Sequence, residues 1–250
     1  MEDRDAYGEF ALFYDQLMQD APYERWMAWF EEALVRYQLQ PRHIADLGCG
    51  TGTLSHAFFE QGFKVTGVDL SEEMLAIAES KREGHSPRLR FLCQDLRDLY
   101  LPEPCDIAVS FCDSLNYLTD ADDLRAVFAR TKAALRPGGV FLFDVHSVYK
   151  LREKLGQNVF YEVGDEVSYI WQSRYDEETT TVEYDITFFA LEEDEGLYRR
   201  FHEVHRQRAY DADLLRDLLQ AAGFHTVEVY ADFCWDVPTN CSERLFFVAK

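Results

Sequence analysis

At 250 residues, 47% hydrophobic and 15% aromatic, the chain holds enough apolar material for one large domain or a domain with an elaborated insertion. Twenty-five basic against 46 acidic side chains give a net charge of −21, a surface that serves solubility and makes nucleic acid a disfavoured partner. No run approaches the roughly 18 apolar residues of a membrane span, Met1 leads into no apolar signal segment, and the six cysteines show no C-x-x-C or metal-ligand spacing, so a reducing, cytoplasmic location is expected.

Residues 4–37 read as two helices broken near Asp20-Ala21-Pro22. Tyr7, Phe10, Ala11 and Tyr14 form one aromatic face, and Trp26, Trp29, Phe30, Ala33 and Leu34 form another. Both stripes suit core packing. A tyrosine-rich leading helix equally suits a pocket mouth, where a phenol hydroxyl tolerates water. Residues 44–47 make a short strand holding Asp46, followed by the turn Gly48-Cys49-Gly50-Thr51-Gly52 and a helix from Thr53. Residues 63–69 are the second strand. Ser71 caps the next helix, with Glu72 and Glu73 in its first turn and Met74, Leu75, Ile77 and Ala78 as its stripe. Residues 88–92 are the third strand, closing on Cys93-Gln94-Asp95, and 106–111 the fourth, leading into the polar loop 112–117. A helix over 122–135 stops at Arg136-Pro137-Gly138-Gly139, and 140–145 is the fifth strand, ending at Asp144-Val145-His146.

The period then changes. Residues 167–175, 181–191 and 197–210 read as an antiparallel meander with turns at Asp176-Glu177-Glu178 and Asp194-Glu195-Gly196. A helix from Asp211, with Leu214, Leu215, Leu218 and Leu219 on one side, ends at Gly223, and 224–230 with 245–249 form a final hairpin. The expected fold is α/β, a doubly wound, mostly parallel seven-stranded sheet with an antiparallel insertion after strand five and an N-terminal helical cap. The main domain is expected over 1–146 and 207–250, with 1–38 as the cap and 147–206 as the insertion.

A ligand of such a sheet lies beyond the carboxyl ends of its strands. Asp46, Asp69, Asp95, the loop 113–117 and His146 all fall there. A phosphate loop needs G-x-x-x-x-G-K-[ST], and this turn has no lysine. A dinucleotide turn wants G-x-G-x-x-G, and the sixth position from Gly48 is Thr53. Asp46 would repel a pyrophosphate and suits a cationic ligand end. S-adenosylmethionine, a sulfonium with an ammonium group, has the matching charge. Asp69, 21 residues after Gly48, is placed to accept from both ribose hydroxyls. Asp95 is either an acceptor for the adenine amino group or a surface acid. Leu70 and Met74 flank the expected adenine plane, Met74 serving equally as core.

The ordered motifs Asp46-Leu47-Gly48-Cys49-Gly50-Thr51-Gly52, Gly67-Val68-Asp69-Leu70-Ser71-Glu72-Glu73-Met74-Leu75, Cys93-Gln94-Asp95 and Leu135-Arg136-Pro137-Gly138-Gly139 resemble those of class I S-adenosylmethionine-dependent methyltransferases. The resemblance spans roughly residues 44–144. It implies that Gly48, Gly50 and Gly52 approach the methionine moiety, with Cys49 beside them. It further implies that Asp69 holds the ribose, that Asp95 with Gln94 takes the adenine, and that Phe111 and Cys112 line the methionine tail. The leading segment 7–15 and the late meander are similar to a bacterial subgroup containing small-molecule N-methyltransferases. In that subgroup the first helix covers the cofactor, and a tyrosine at the position of Tyr14 reaches it.

Methyl transfer is an in-line displacement at an activated carbon, so positioning supplies much of the acceleration, and a base is needed only for a protonated nucleophile. Neither an Asn-Pro-Pro-Tyr type signature nor paired cysteines for carbon methylation occur. His146 and Tyr117 are the catalytic candidates, His146 acting on the acceptor or bonded to backbone as a loop histidine. Asn116, Tyr169, Trp171, Arg174 and His205 are candidate substrate contacts. Arg174 and Arg206 suit a carboxylate or phosphate, or stand solvated on a strand face. The meander's aromatics make a lid or a second core. The expected activity is methyl transfer to nitrogen or oxygen of a small soluble acceptor. RNA methylation and a non-catalytic S-adenosylmethionine-binding module are the alternatives. A small-molecule substrate is the expected partner, with no membrane, and a homodimer is left open.

Overall fold

Short apolar runs bounded by glycine and acid turns pair as parallel strands in the first half of the chain. The computed structural model describes residues 10–82, 84–192 and 196–250. The expected start of the first helix, with Tyr7, and Asp194 and Glu195 of the second meander turn lie outside the described residues. In chain order the first half runs α1 (Ala11–Leu17), α2 (Tyr23–Arg36), β1 (His43–Leu47), α3 (Thr53–Glu60), β2 (Lys64–Asp69), α4 (Glu72–Ser80) and β3 (Leu89–Cys93). Next come β4 (Cys105–Ser110), α5 (Ala121–Ala134) and β5 (Leu135–His146). The insertion holds β6 (Val159–Val163), β7 (Val167–Asp176), β8 (Thr181–Glu192) and β9 (Leu197–Arg208). The chain closes with α6 (Ala212–Ala221), β10 (Val227–Ala231) and β11 (Arg244–Ala249).

Two sheets result. The seven-stranded sheet has the order β10-β11-β5-β4-β1-β2-β3, and the insertion is a four-stranded sheet ordered β6-β7-β8-β9. β11 runs antiparallel between β5 and β10, while β1 to β5 pair in parallel. The order reverses between β1 and β4, so a crevice opens at the carboxyl ends of those two strands. Among the described residues no helix is long and apolar enough to cross a membrane.

Three elements depart from the sequence reading. The insertion has four strands rather than three, because Val159–Val163 pairs with β7 as an exposed edge strand that shows no alternation of apolar residues. A π-helical turn, Lys150–Leu155, precedes it. β5 begins at Leu135, before the expected stop at residues 136–139. Leu135 pairs with Cys105 and Val140 with Ile107, so the intervening Pro137-Gly138 segment is accommodated as a bulge where a missing N–H costs no ladder bond.

The packing follows the stripes. Trp26, Trp29, Phe30 and Phe58 bury one face of the large sheet, and Leu124, Val127, Phe128, Leu215 and Leu219 bury the other. Each such side chain contributes about 1.5–3 kcal/mol on leaving water. A third core lies inside the insertion, where Phe188, Val182 and Leu151 meet Phe10, Phe13 and Leu17 of the cap. The cap therefore packs on the insertion, with Phe10 stacked on Phe188 at 5.0 Å between ring centroids.

Candidate active site

β1 is buried along its whole length and delivers the glycine turn to the crevice. The N–H groups of Gly48 and Cys49 both donate to the Val68 carbonyl, at 2.8 and 3.0 Å, which stitches the turn to β2. Gly50 has φ +53°, and a Cβ added there would meet nothing within 4 Å. Its backbone is thus open to a ligand. Gly50 N donates to Asp69 Oδ2 at 2.8 Å, and Ser71 N donates to Oδ1 at 3.0 Å. Asp46 is 2% exposed and accepts from Ser55 Oγ at 2.6 Å. Burial, with the nearby Asp69 charge adding to it, pushes the Asp46 carboxyl up to about 7.

A cavity of about 680 Å³ runs along the carboxyl ends of β3, β2, β1 and β4. Asp46, Gly48, Cys49 and Gly50 line its middle, and Asp69, Leu70, Met74 and Asp95 line it toward β3. Phe111, Cys112 and Tyr14 line it toward β4. Two expected cofactor residues do not line it. Gly52 has φ +75°, and a Cβ there would press within 2.9 Å of Ala78 and 3.0 Å of the Phe91 ring, so its role is close packing. Gln94 clamps Tyr100, accepting from its N–H at 2.9 Å and donating to its carbonyl at 3.1 Å. Asp95 is held by Arg97, Nη2 to Oδ2 at 2.6 Å and Nε to Oδ1 at 3.0 Å, and those bonds keep its carboxyl below the usual range.

The end beyond β4 is built from distant segments. After β4 the backbone turns through two non-glycine residues with positive φ, Cys112 at +60° and Asp113 at +53°. Such conformations cost of order 1–3 kcal/mol each and persist only where the surroundings hold them. Asp144 does so, accepting from Cys112 N at 3.0 Å and Asp113 N at 3.3 Å, as well as from Trp26 Nε1 at 2.8 Å and from Arg244. The loop held in this way carries Tyr117 to the cavity wall. His205 of β9 meets it there, with Nδ1 3.5 Å from the Tyr117 hydroxyl and Nε2 2.9 Å from Glu203 Oε2. Tyr14 and Tyr23 of the cap complete this end, and burial raises both hydroxyls above the ordinary phenol range.

A family model described as a methyltransferase domain matches residues 44–139, the stretch from β1 to the bulge of β5. Two relatives match nearly end to end. A methyltransferase-family protein of Geobacillus is 42% identical over 98% of this chain and 99% of its own. YqeM of Bacillus subtilis is 40% identical over 98% of this chain and 96% of its own. A crystal structure of an S-adenosylmethionine-dependent methyltransferase from Clostridium acetobutylicum superimposes with a TM-score of 0.85 at 33% identity, covering 98% of this chain and 99% of that one. The chain belongs to the class I S-adenosylmethionine-dependent methyltransferases.

The site of this methyltransferase fits that cofactor on its own chemistry. Asp46 is buried and, among the described residues, ion-paired with no cation, so a ligand ammonium relieves what burial has done to its carboxyl. Asp69 keeps its carboxylate at the open Gly50 backbone, where ribose hydroxyls are donors of the right kind. Leu70 and Met74 supply apolar surface beside them. Asp95 and Arg97 stand together at the β3 end of the cavity.

The expected catalytic residues part company. Tyr117 lines the cavity, and His146 does not. His146 lies behind the wall, in a separate cavity of about 380 Å³ shared with Arg25, Lys150 and Glu243. Arg244 Nη2 donates to its Nε2 at 2.8 Å, and Asp113 Oδ1 is 3.4 Å away. Its Nδ1 is buried without a hydrogen-bond partner among the described residues, and burial pulls its pKa down to about 4. A histidine whose lone pair is taken by an arginine and which faces away from the cavity is a structural member of the wall.

Of the expected substrate contacts, His205 alone reaches the cavity. Asn116 is buried and acts as a rivet, donating to the carbonyls of His146 at 3.3 Å and Arg208 at 2.8 Å while accepting from His146 N at 2.9 Å. Tyr169 and Trp171 belong to the insertion's own core, Trp171 edge-on to Tyr184 at 4.9 Å. Arg174 is largely exposed and faces Glu183 at 3.9 Å. Arg206 reaches the cavity rim with its guanidinium already on Glu183, at 2.8 and 3.0 Å. The sequence reading missed Glu203, Tyr23, Arg97 and the Asp144–Arg244 pair. The signal for Glu203 was present in Glu203-x-His205-x-Gln207, three polar residues at period two, which mark one face of a strand as a polar wall.

Proposed function

We propose that this methyltransferase acts on nitrogen or oxygen of a small soluble acceptor. The observation that carries the reading is the wall beyond β4, which Tyr14 of the cap, Tyr117 of the loop and His205 of the insertion line together. When bound, S-adenosylmethionine supplies an activated methyl on a sulfonium. Asp46 and the glycine turn hold its amino acid end, Asp69 its ribose, and Asp95 with Arg97 its adenine. The strained loop through Cys112 and Asp113 fixes Tyr117 at the acceptor end. The cap and the insertion act together as a lid whose enclosed space suits a metabolite rather than a polymer.

Charge supports the same choice against RNA. The chain carries −21, and Glu72, Glu73, Asp95 and Asp123 stand along the cavity. A phosphate backbone laid there meets repulsion. The acceptor is tested by incubating the protein and S-adenosylmethionine with a fractionated metabolite extract and detecting methylated products by mass. A small methylated product supports the reading. Methylation confined to an added RNA fraction, or cofactor binding with no product from any fraction, overturns it.

A further inference from the structure

β9 turns Glu203, His205 and Gln207 toward the main domain, whereas β8 turns Val182, Ile186 and Phe188 to the same side. The three polar residues are 7%, 3% and 3% exposed. Burying three in a row is unfavourable unless each is hydrogen-bonded, and each one is. Gln207 donates to Asp113 Oδ2 at 2.9 Å and accepts from the Tyr184 hydroxyl at 3.1 Å. Glu203 accepts from Phe10 N on Oε1 at 3.1 Å and faces His205 Nε2 with Oε2 at 2.9 Å.

These bonds give the histidine a direction. An ionised carboxylate only accepts, so the imidazole carries its hydrogen on Nε2 and its lone pair on Nδ1. Nδ1 faces the Tyr117 hydroxyl at 3.5 Å, a separation that tightens when a proton is to be moved. Both Tyr117 and His205 line the cavity at the acceptor end, with the hydroxyls of Tyr14 and Tyr23 beside them. A carboxylate that orients a histidine whose other nitrogen addresses a hydroxyl is the general arrangement of an activated proton acceptor.

Resting on the methyl-transfer reading above, we infer that Glu203, His205 and Tyr117 form a proton relay for an amine acceptor that arrives as an ammonium ion. An amine in that form has no lone pair and cannot attack until it gives up a proton. The acceptor N–H bond breaks as its proton forms an O–H bond on Tyr117. The original Tyr117 O–H bond breaks as that proton binds His205 Nδ1. The electron pair of the broken N–H bond stays on the acceptor nitrogen and is free to take the methyl group. Glu203 keeps the Nε2 hydrogen and offsets the charge of the imidazolium, which later returns its proton to water. Tyr117 is the catalytic residue that touches the acceptor, and Glu203 is a positioning residue that acts through His205.

The relay is tested without knowing the acceptor. Sinefungin carries an amino group where the methyl donor carries its transferable methyl, whereas S-adenosylhomocysteine carries nothing there. Isothermal titration calorimetry of both ligands gives their affinity ratio. The wild-type chain is expected to prefer sinefungin by about tenfold or more, the scale of one charge-assisted hydrogen bond. Tyr117→Phe and His205→Leu are expected to abolish most of that preference while changing S-adenosylhomocysteine affinity by less than about twofold, and Glu203→Gln to reduce it by roughly half its logarithm. If His205→Leu also loses S-adenosylhomocysteine through misfolding, Tyr117→Phe, which removes a single oxygen, decides. An unchanged ratio in Tyr117→Phe overturns the relay. Failure of either ligand to bind the wild-type chain overturns the cofactor reading instead.

Discussion

Asp15 of the cap helix accepts a hydrogen bond from Thr51 Oγ1 of the glycine turn at 2.6 Å. Lys81, at the end of α4, pairs with the same carboxylate at 2.6 Å and donates to the Thr51 carbonyl at 3.0 Å. These bonds tie the glycine turn that lines the cavity to the helix that supplies Tyr14, and Phe10 at the start of that helix stacks on the insertion. One short polar bridge thus links three segments far apart in sequence.

Breaking that bridge should loosen the cofactor without unfolding the chain. Asp15→Asn removes the ion pair with Lys81 and Thr51→Val removes the hydroxyl donor. Asp15 and Lys81 are both partly solvated, with side chains 42% and 31% exposed, so the expected loss is about 0.5–1 kcal/mol for each variant. It should appear as a faster off-rate for S-adenosylhomocysteine, by roughly two- to fivefold, in stopped-flow tryptophan fluorescence. An off-rate equal to the wild type in both variants would show that the bridge does not hold the cap over the site.

Asp69→Ala should weaken S-adenosylhomocysteine binding by about 1–3 kcal/mol, read by calorimetry. The carboxylate has two duties, since it accepts from Gly50 N and Ser71 N while lining the cavity. Asp69→Asn keeps an acceptor for one of those N–H groups and should lose less. Equal affinities for Asp69→Ala and the wild type would remove Asp69 from the ribose site.

The half of the cavity lined from β1 to β3 was legible because its grammar is local. A strand, a glycine turn and a helix place Asp46 and Gly50 within a few residues of one another, and the end of the next strand places Asp69 by topology alone. Gly52 and Gln94 show where that grammar stops, because they stand beside cavity-lining residues in sequence while their atoms serve Phe91 and Tyr100. The acceptor half was legible only as a list of residue types. Tyr117 meets His205 across 88 positions of sequence, and Arg244 turns His146 away from the cavity across 98. Arg174 fell on the solvent face of β7 because strand parity, set by a register between distant segments, decides which alternate residues face inward.

Asp46 makes cofactor binding depend on pH. Burial raises its carboxyl to about 7, and a ligand ammonium favours the ionised form. Binding therefore releases a proton below that value, and affinity should rise with pH up to about 7 and flatten above it. The slope below pH 7 is at most about tenfold per unit. Titrations of S-adenosylhomocysteine at pH 5.5, 6.5 and 7.5 check this, with Asp46→Asn expected to bind more weakly at pH 7.5 and to show a flatter profile. A profile equally steep in Asp46→Asn would place the titrating group elsewhere.

His146 sets a second pH dependence, in stability rather than binding. Burial lowers its pKa in the folded chain to about 4, against about 6.5 when unfolded. The unfolded chain thus takes up a proton first as pH falls, and the folded state loses stability between about 6.5 and 4, while above 6.5 this group makes no difference. The loss is at most about 1.4 kcal/mol per pH unit across that window. Asp144 beside it is held above its usual range by burial and acts with the opposite sign at the acid end, in wild type and variant alike. His146→Gln keeps an acceptor for Arg244 but cannot be protonated, so its urea midpoint should fall less than that of the wild type between pH 7.5 and 5. Activity at pH 7.5, in contrast, should survive in His146→Gln better than in Tyr117→Phe, because His146 stands outside the cavity. Parallel midpoints for the two proteins across that range would mean that His146 is not the neutral, buried member of the wall described above.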